Sequence, residues 1–432
     1  MSKPTFSSKL TASLSIIGVA VGLGNVWRFP YMMGKYGGSA FLFIYIIFVL
    51  IFAIPALAGE LSLGRHTGKG PIGAFSQATN SLFGKIMAYM ISTAILVANA
   101  YYIVVIANLV YLTFFSGVSG FGSPHHDLQA ELNNGNLQFG ISIFILSSVL
   151  FVVMQGLKKG VERFSKYIVP FFAIVMIYFL LHVLRIDGAV EKLIVFLKPD
   201  FEQLTIQNIF AALGQAFFSL TLGGTILVVY GSYLKKEENI LKISIFSGLG
   251  DLGASLLISL ILVPAILVYA LNLEEGHTLL FSTLPVLFEQ MPGGRILGTF
   301  FLFSLVLMAF LSSAAAVQFL STSLNNNTKL TYKQSVILIG VLDLLLIIPC
   351  AFFGDIIPIL DLIFGSGMQV IGSCCAIIAL TWFIGKKITV NQIFNQKRNT
   401  FQNWFFVWLK WVIPAALILT LVLYIYSSII KI

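Results

Sequence analysis

The chain has 432 residues, of which 58% are hydrophobic and 10% are charged, and its formal net charge is +9 at pH 7. Soluble domains carry about a quarter charged residues, so this composition, with a mean hydropathy of +0.95, excludes an ordinary water-soluble fold. The three cysteines, Cys350, Cys374 and Cys375, lie in apolar segments without metal-ligand spacing, which predicts small buried side chains.

Apolar segments long enough to cross a membrane follow one another along the whole chain. A helix needs roughly 20 residues to span the hydrocarbon core, and eleven such segments are separated by charged or turn-rich stretches. The first segment lacks the features of a cleavable signal peptide and is expected to remain as a membrane helix. The sequence therefore predicts an all-α integral membrane protein with eleven transmembrane helices. These lie near 10–33, 39–63, 85–115, 138–155, 165–184, 207–233, 241–272, 296–324, 332–352, 358–384 and 404–430.

The basic residues of the connecting segments favour one orientation of these helices. Most of them fall on the same side as the N-terminus, and segments rich in Lys and Arg stay in the cytoplasm. We therefore expect a multi-pass protein of the plasma membrane with a cytoplasmic N-terminus and an extracytoplasmic C-terminus. The positive charge is explained by topology and contact with the lipid bilayer, so no nucleic-acid partner is predicted. The longer outside segments, 116–137, 185–206 and 273–295, are expected to be exposed connectors.

Two of the predicted helices contain residues that do not suit a continuous helix. Gly18 to Asn25 reads GVAVGLGN in the first, and Ser219 to Thr225 reads SLTLGGT in the sixth. Interruptions at corresponding places in two halves are typical of transporter sites, because half-helix ends attract anions and their freed carbonyls coordinate cations. Close packing of helices through small residues is the alternative, but packing alone does not require Asn25 and Arg28 beside the glycines.

Charged residues within apolar spans are few, and each indicates a functional role by default. They are Arg28, Glu60, Asp251, Asp343 and Asp361. Asp343 lacks supporting context and is interpreted as structural. Asp251 is accompanied by small oxygen-bearing residues at Asn25, Ser219, Ser255, Ser312 and Ser313, which suit sodium better than a soft transition metal. The chain shows no arrangement of nucleophile, base and orienting group, so no enzyme activity is predicted.

Several stretches, taken in order, resemble one family of transporters. Gly18 to Pro30 reads GVAVGLGNVWRFP, and it is followed by Tyr36-Gly37-Gly38, by GELSLGR from Gly59, by Gly156 to Pro170 and by Gly214 to Leu220. Together they resemble the neurotransmitter:sodium symporter family, in its bacterial amino-acid branch of eleven helices. The resemblance implies a leucine-transporter-like fold: one transporter domain over 1–432, in which inverted repeats of five helices each, about 10–184 and 207–384, precede an extra helix at 404–430.

The resemblance also implies a function and its residues. The chain is expected to be a sodium-coupled importer of an amino acid that works by alternating access, with two sodium ions and no organic cofactor. The implied substrate-binding residues are Val19, Ala20, Gly22, Leu23, Gly24, Ala98, Tyr102, Phe218, Ser219, Thr221, Gly224, Ser313 and Val317. Sodium 1 would be held by Ala20, Asn25, Ser219 and Asp251, and sodium 2 by Gly18, Val21, Ala309, Ser312 and Ser313. The gates would use Arg28 with Asp361 outside and Lys3 with Tyr233 inside.

Departures from the family pattern limit the class of substrate that we expect. Monoamine members resemble one another in carrying an aspartate where this chain has Gly22, so an amine without its own carboxylate would lack a counter-ion here. Gly224 stands where relatives often have phenylalanine, and Ala98 is also small, which leaves room in the pocket. We therefore expect a bulky hydrophobic or aromatic amino acid.

Other departures concern the anion site and the inner gate. Tyr45, Gln215, Ser219 and Ser255 match the chloride ligands of related transporters, but Asp251 takes the place of an asparagine. A fixed carboxylate can supply the charge of chloride, so chloride-independent uptake is predicted. At the inner gate, relatives have an acidic partner for the lysine that corresponds to Lys3. This chain has Asn327 at that position, and an amide cannot form an ion pair.

Alternatives from other classes remain open from the sequence. A channel would also place polar backbone at membrane depth, although the gate residues favour a carrier. A proton-coupled amino-acid permease or a non-transporting amino-acid sensor could share the broken helices. No prediction is made for the oligomeric state, because the twelfth helix of some relatives is missing.

Overall fold

The computed structural model describes residues 5–79, 82–122, 128–198, 200–223, 225–273, 279–394 and 400–430, apart from the side chains at 27, 83, 203 and 424–430. Within these ranges the chain forms helices and no strand. Numbered in chain order, they are α1 Lys9–Ala20, α2 Gly24–Lys35, α3 Gly38–Thr67, α4 Pro71–Thr79, α5 Leu82–Ser119, α6 Leu128–Leu132, α7 Gly135–Met154, α8 Gly156–Val183, α9 Ala189–Leu197, α10 Ile206–Ser219, α11 Ile226–Ser232, α12 Ile240–Val268, α13 Thr283–Gln290, α14 Gly294–Asn327, α15 Tyr332–Phe352, α16 Gly354–Ile384, α17 Lys386–Phe394 and α18 Thr400–Leu423.

The predicted membrane spans correspond to these helices. Nine helices in the described ranges are long and apolar enough to cross a bilayer, namely α3, α5, α7, α8, α12, α14, α15, α16 and α18. α1 and α2 together make a tenth span, bent by 68°. The sixth predicted segment is present as α10 and α11, two short helices on either side of residues 220–225. The first and sixth spans are therefore both interrupted, as predicted.

The break between α1 and α2 is short. α1 begins with a capping box, in which the Ser8 hydroxyl accepts the Thr11 amide and the Thr11 hydroxyl accepts the Ser8 amide. It ends at Ala20, and Val21 already has an extended backbone. The chain becomes helical again at Gly24 through one π-helical turn that leads into α2. Because a helix end leaves carbonyl groups without intrahelical partners, the last carbonyls of α1 are open to side chains or ions.

The break between α10 and α11 is longer. α10 begins after Thr205, whose hydroxyl accepts the Asn208 amide at 3.2 Å, and it ends at Ser219. Thr221 has a φ of +52°, a left-handed conformation that β-branched residues rarely adopt. Helical structure returns only at Ile226.

The interrupted helices lie inside the bundle. α1 packs against α8, α12 and α14, and α11 packs against α3. The backbones of α3 and α11 are in direct contact, because a Cβ added at Gly64 or Gly231 would collide with the backbone of Val228 or Leu61. Many apolar side chains on the outer helices, such as Phe144 on α7, face outward, as expected for a surface in lipid.

The outside segments contain more structure than the sequence analysis predicted. The expectation of plain connectors was wrong at α6, α9 and α13, which lie within 116–137, 185–206 and 273–295. α9 is too short to span a bilayer but has a run of apolar residues. Its Ala189 is buried, whereas Ile194 and Val195 are 65% and 73% exposed. Exposed apolar residues on a short helix are typical of helices that lie at a membrane interface.

Candidate functional site

The two helix breaks meet at the carbonyl oxygen of Val19, in the last turn of α1. The Ser312 hydroxyl on α14 donates to this oxygen at 3.1 Å, and the Thr221 hydroxyl donates to it at 3.4 Å. The Val19 carbonyl, which has no partner within α1, thus accepts hydrogen bonds from side chains of α14 and of the second break. The left-handed backbone of Thr221 at this junction is a form of local strain that clusters at functional sites.

A buried polar cluster lies beside this junction. The Asn25 Nδ2 donates to Asp251 Oδ1 at 2.9 Å, to Ser255 Oγ at 2.8 Å and to Ser219 Oγ at 3.2 Å. The Ser219 hydroxyl in turn donates to Asp251 Oδ2 at 2.6 Å. The Asn25 Oδ1 accepts the Gly22 amide at 2.9 Å. The cluster therefore ties both broken helices to α12, and it gathers the carboxylate and hydroxyl oxygens that a hard cation prefers.

The remaining members of the predicted anion site, Tyr45 and Gln215, are both buried. Tyr45 on α3 is fully buried, and its hydroxyl faces Asp251, Ser219 and Ser255 without meeting the geometry of a hydrogen bond. Gln215 on α10 is also fully buried, and neither of its amide atoms makes a hydrogen bond to a described residue. A buried amide left unsatisfied is costly, so Gln215 has capacity for a partner at this place.

The residues predicted for sodium 2 are only partly brought together. Ser312 contacts the end of α1 as described, and Ala309 is fully buried one helical turn before Ser313. The Ser313 hydroxyl does not reach α1, because it donates to Asn99 Oδ1 on α5 at 2.8 Å. Gly18 lies against α14, where an added Cβ would be 3.0 Å from Leu311.

Several of the predicted substrate residues lie close to one another at the first break. A Cβ added at Gly22 would lie 3.4 Å from the Tyr102 hydroxyl and 3.7 Å from that of Ser312, and one added at Gly24 would lie 2.7 Å from the Phe218 ring. Four more residues of the predicted group are buried, namely Val19, Ala20, Leu23 and Val317. Ala98 is partly buried and lies on α5, one turn before Tyr102. Gly224 lies outside the described residues.

The residues predicted for the outer gate contact α5, α10 and α16 in the described part of the chain. The Arg28 guanidinium lies 4.0 Å from the centre of the Phe218 ring, and its Nη1 donates to the Ser366 hydroxyl at 3.4 Å. Asp361 accepts a hydrogen bond from the Tyr101 hydroxyl at 2.8 Å. Arg28 thus contacts Ser366 on α16, whereas Asp361 on α16 contacts Tyr101 on α5. The contact of Arg28 with the Phe218 ring is a cation–π interaction above the predicted substrate residues.

On the inner side, the N-terminal segment packs against Tyr233 and Tyr230. The Tyr233 hydroxyl lies 2.9 Å from that of Thr322, and the Tyr233 carbonyl accepts the Phe6 amide at 3.1 Å. Phe6 is fully buried, with its ring centre 5.6 Å from that of Tyr230 and 6.0 Å from that of Tyr233. Asn327 donates to the Ser323 carbonyl of its own helix at 2.7 Å. Lys3 lies outside the described residues.

A model of the sodium:neurotransmitter symporter family matches residues 3–123 and 123–432, which together are nearly the whole chain. The chain belongs to this family. It is therefore a sodium-dependent symporter with multiple membrane spans, and not an enzyme.

Similar proteins come from distant organisms. The uncharacterised sodium-dependent transporter YhdH of Bacillus subtilis is 29% identical over 435 residues, which cover 96% of each chain. A sodium-dependent transporter of Methanocaldococcus jannaschii is 30% identical over 464 residues, covering 99% of this symporter and 91% of the relative. A shorter match, 28% identical over 271 residues, covers 55% of this symporter and 37% of the neutral amino acid transporter B(0)AT2 of Bos taurus.

The fold is similar to a solved structure. The crystal structure of MhsT in complex with L-phenylalanine superposes with a TM-score of 0.87 at 25% identity, covering 98% of this symporter and 99% of MhsT. This similarity confirms the predicted fold class, an all-α bundle of the leucine-transporter type.

The sequence analysis missed one group of residues in the symporter. Asp343, for which the sequence showed no context, accepts a hydrogen bond from Asn99 at 2.9 Å, and Asn99 accepts a hydrogen bond from Ser313. The signal available in the sequence was weak, since Asn99 is one of two amides, with Asn108, in the long apolar helix α5. It becomes informative only when the structure shows that α5 and α15 pack together.

Proposed function

We propose that this symporter couples sodium entry to the import of an amino acid with a bulky hydrophobic or aromatic side chain, without a requirement for chloride. The observation that carries the proposal is the cluster of Asn25, Ser219, Asp251 and Ser255, at the point where the two helix breaks meet. One carboxylate surrounded by neutral oxygens at membrane depth suits a small hard cation, and both broken helices contribute to it.

Two sodium ions are proposed. Sodium 1 would take the place at which the Asn25 Nδ2 meets the oxygens of Asp251 and Ser219, with the Asn25 amide turned so that its carbonyl faces the ion. The Ala20 carbonyl would complete this set. Sodium 2 would lie between the open end of α1 and α14, held by the carbonyls of Gly18, Val21 and Ala309 and the hydroxyls of Ser312 and Ser313. A cation at each place neutralises groups that are costly to leave unpaired in lipid.

The substrate is proposed to be an amino acid because of the first break. Its backbone N–H groups near Gly22 and Leu23 would receive a carboxylate once the Asn25 amide, whose oxygen accepts the Gly22 N–H in this structure, has turned toward sodium 1, and the Tyr102 hydroxyl lies close to Gly22. Gly22 provides no counter-charge of its own for an amine. The B(0)AT2 and MhsT relatives, named for a neutral amino acid and bound to L-phenylalanine, support this class.

The size of the side chain is inferred from the pocket walls. The family resemblance assigns two small residues, Ala98 and Gly224, and two apolar residues, Phe218 and Val317, to the walls of the pocket. An apolar pocket with few polar groups favours an apolar side chain of matching volume. The remaining proposed contacts are Val19, Gly24, Ser219, Thr221 and Ser313.

Chloride independence is inferred from Asp251. Its carboxylate lies among Tyr45, Gln215, Ser219 and Ser255 and can neutralise sodium 1 without an added anion. A second negative charge at this place would be repelled at short range in a medium of low dielectric constant.

Alternating access is proposed to be controlled at both ends of the site. Above it, the Arg28 to Phe218 contact and Asp361 form the outer closure, and below it Tyr233 and the N-terminal segment that includes Lys3 form the inner closure. The helices that move are proposed to belong to two repeats, which cover about 10–184 and 207–384. The last helix, 404–430, belongs to neither repeat. The orientation in the plasma membrane, with a cytoplasmic N-terminus, follows from the distribution of basic residues.

The test is uptake into proteoliposomes that contain the purified protein. Labelled phenylalanine, leucine, tryptophan and glycine are offered with an inward sodium gradient, and potassium replaces sodium in the control. Sodium-dependent accumulation of the large amino acids, undiminished when gluconate replaces chloride, is the expected result. Equal uptake in both salts would show proton coupling, binding without accumulation would show a sensor, and preferential glycine uptake would contradict the proposed pocket size.

A further inference from the structure

Three buried polar side chains form a chain of hydrogen bonds that ends at the proposed sodium 2 site. The Ser313 hydroxyl on α14 donates to Asn99 Oδ1 on α5 at 2.8 Å. The Asn99 Nδ2 then donates to Asp343 Oδ2 on α15 at 2.9 Å. Their exposed fractions are 1%, 3% and 0%, so water does not compete for these bonds. Three separate helices meet through them.

Each hydrogen bond in this chain has a fixed direction. Asp343 Oδ2 accepts the hydrogen bond from the Asn99 amide nitrogen, and an amide has one accepting and one donating end. Asp343 therefore holds the NH₂ group of Asn99, which leaves the Asn99 carbonyl facing Ser313. The Ser313 hydroxyl hydrogen is used by that carbonyl, and the lone pairs of the Ser313 oxygen remain available to another partner.

Asp343 has no second role in the described part of the chain. Its Oδ1 is buried and makes no hydrogen bond to a described residue. The helices that pack against it provide no nearby counter-charge: α7 has no charged residue, α5 has only Lys85 near its start, and α14 has only Arg295 near its start. A carboxyl group in this position is costly and is expected only where it serves a site.

We propose that Asp343 is a positioning residue of the second sodium site. Through Asn99 it directs the hydrogen of the Ser313 hydroxyl away from the ion and keeps the oxygen lone pairs available for it. Without Asp343, the Asn99 amide is free to rotate and donate to Ser313, which would consume a lone pair and turn the hydroxyl hydrogen toward the cation. This inference rests on the proposed function, in which Ser313 binds sodium 2.

The experiment compares Asp343→Leu with Asp343→Asn in the purified full-length protein. Two quantities are measured: the sodium concentration that gives half-maximal binding of labelled L-phenylalanine, and the rise in unfolding temperature on adding NaCl instead of KCl without any amino acid. The second readout uses sodium alone as the probe and does not depend on the identity of the substrate.

For Asp343→Leu we expect the half-saturating sodium concentration to rise about tenfold, the effect of about 1.4 kcal/mol, because the acceptor for Asn99 is lost. Asp343→Asn retains a carbonyl oxygen that can accept from Asn99, so its sodium dependence should remain close to that of the wild type. Phenylalanine affinity at saturating sodium should change little in both variants. This separation of sodium from substrate affinity is not expected from a general loss of packing.

Two further variants keep the proposal testable if Asp343→Leu does not fold. Asn99→Leu interrupts the same chain from the other helix and should weaken sodium binding in the same direction. Ser335→Ala is the matched control, since Ser335 is a buried polar residue of α15 whose hydroxyl makes no hydrogen bond to a described residue. It should leave sodium dependence unchanged.

The failure of this inference can be told from the failure of the proposed function. If the wild type shows no sodium-dependent binding at all, the proposed function fails first. If the wild type depends on sodium but Asp343→Leu and Asn99→Leu do not shift that dependence, the positioning role is overturned. An equal loss in Asp343→Asn and Asp343→Leu would also overturn it, because the charge and not the hydrogen-bond direction would then be responsible.

Discussion

The two helix breaks look alike in sequence but are built differently. In the first, only residues 21–23 separate α1 from α2, and none of Gly18, Gly22 and Gly24 has a positive φ. In the second, residues 220–225 separate α10 from α11, and the left-handed position is taken by Thr221. The glycines of the first break therefore serve to allow close approach, whereas the second break turns through a strained threonine.

The difference teaches what a glycine-rich interruption does in each helix. At the first break, missing side chains make room for Tyr102 and Phe218 and leave the backbone as the proposed binding surface. At the second break the contacts are made by side chains: the Ser219 hydroxyl donates a hydrogen bond to Asp251, and the Thr221 hydroxyl donates one to the Val19 carbonyl. Substitutions that add atoms should therefore be most harmful at the first break, and those that remove hydroxyl groups should matter at the second.

The largest effect is expected from Gly22→Asp at the first break. A new carboxylate there would face the substrate carboxylate in a buried site, and like charges in contact cost several kcal/mol, so phenylalanine uptake should fall about 100-fold or more. Gly22→Ala is the matched control. Its Cβ would lie 3.4 Å from the Tyr102 hydroxyl, an ordinary contact, so it should retain measurable uptake. Equal loss in both variants would show that volume and not charge is decisive.

Asp251→Asn tests the cluster that joins the two breaks. Removal of the carboxylate leaves sodium 1 without its fixed counter-charge, so uptake should be lost in gluconate and restored by chloride. The measurement is phenylalanine uptake against chloride concentration in proteoliposomes. Asp355→Asn, at an exposed aspartate at the start of α16, should remain independent of chloride. Restored uptake without any chloride would contradict the charge-replacement account.

Ser312→Ala compares a side chain at the first break with one elsewhere on the same helix. The Ser312 hydroxyl reaches Val19, whereas that of Ser304 donates to the Phe301 carbonyl within α14. Loss of one ligand oxygen should raise the half-saturating sodium concentration about tenfold. Ser304→Ala should have little effect, and a similar shift in both variants would argue against a site-specific role.

The smallest effect is expected from Thr221→Val at the second break. This change keeps the β-branched shape and the backbone conformation but removes the hydroxyl that contacts Val19 at 3.4 Å. A hydrogen bond of this length is weak, so substrate affinity should fall by only about twofold. Direct binding measurements at saturating sodium can resolve this change. A loss as large as that of Ser312→Ala would mean that Thr221 contributes more than its geometry indicates.

Much of the architecture could be predicted because lipid imposes simple rules on sequence. Long apolar segments predicted the spans, and the polar glycine-rich stretches predicted where Asn25 and Ser219 would meet Asp251. The contacts of Arg28 could not be predicted in the same way, because several acceptors and rings lie within its reach. The partner of Asp343 depends on the relative rotation of α5 and α15, which uniformly apolar helix surfaces do not specify.

Hydrogen exchange at the buried N-terminal segment should show how often the inner side of the symporter opens. The Phe6 amide is bonded to the Tyr233 carbonyl and its ring is enclosed by Tyr230 and Tyr233. Withdrawing a phenylalanine from such a position costs about 1.5–3 kcal/mol, so this segment should spend most of its time docked. Its amide can exchange hydrogen for deuterium only after undocking. The deuterium uptake at this amide would therefore count the openings of the inner side, even in protein that is not transporting.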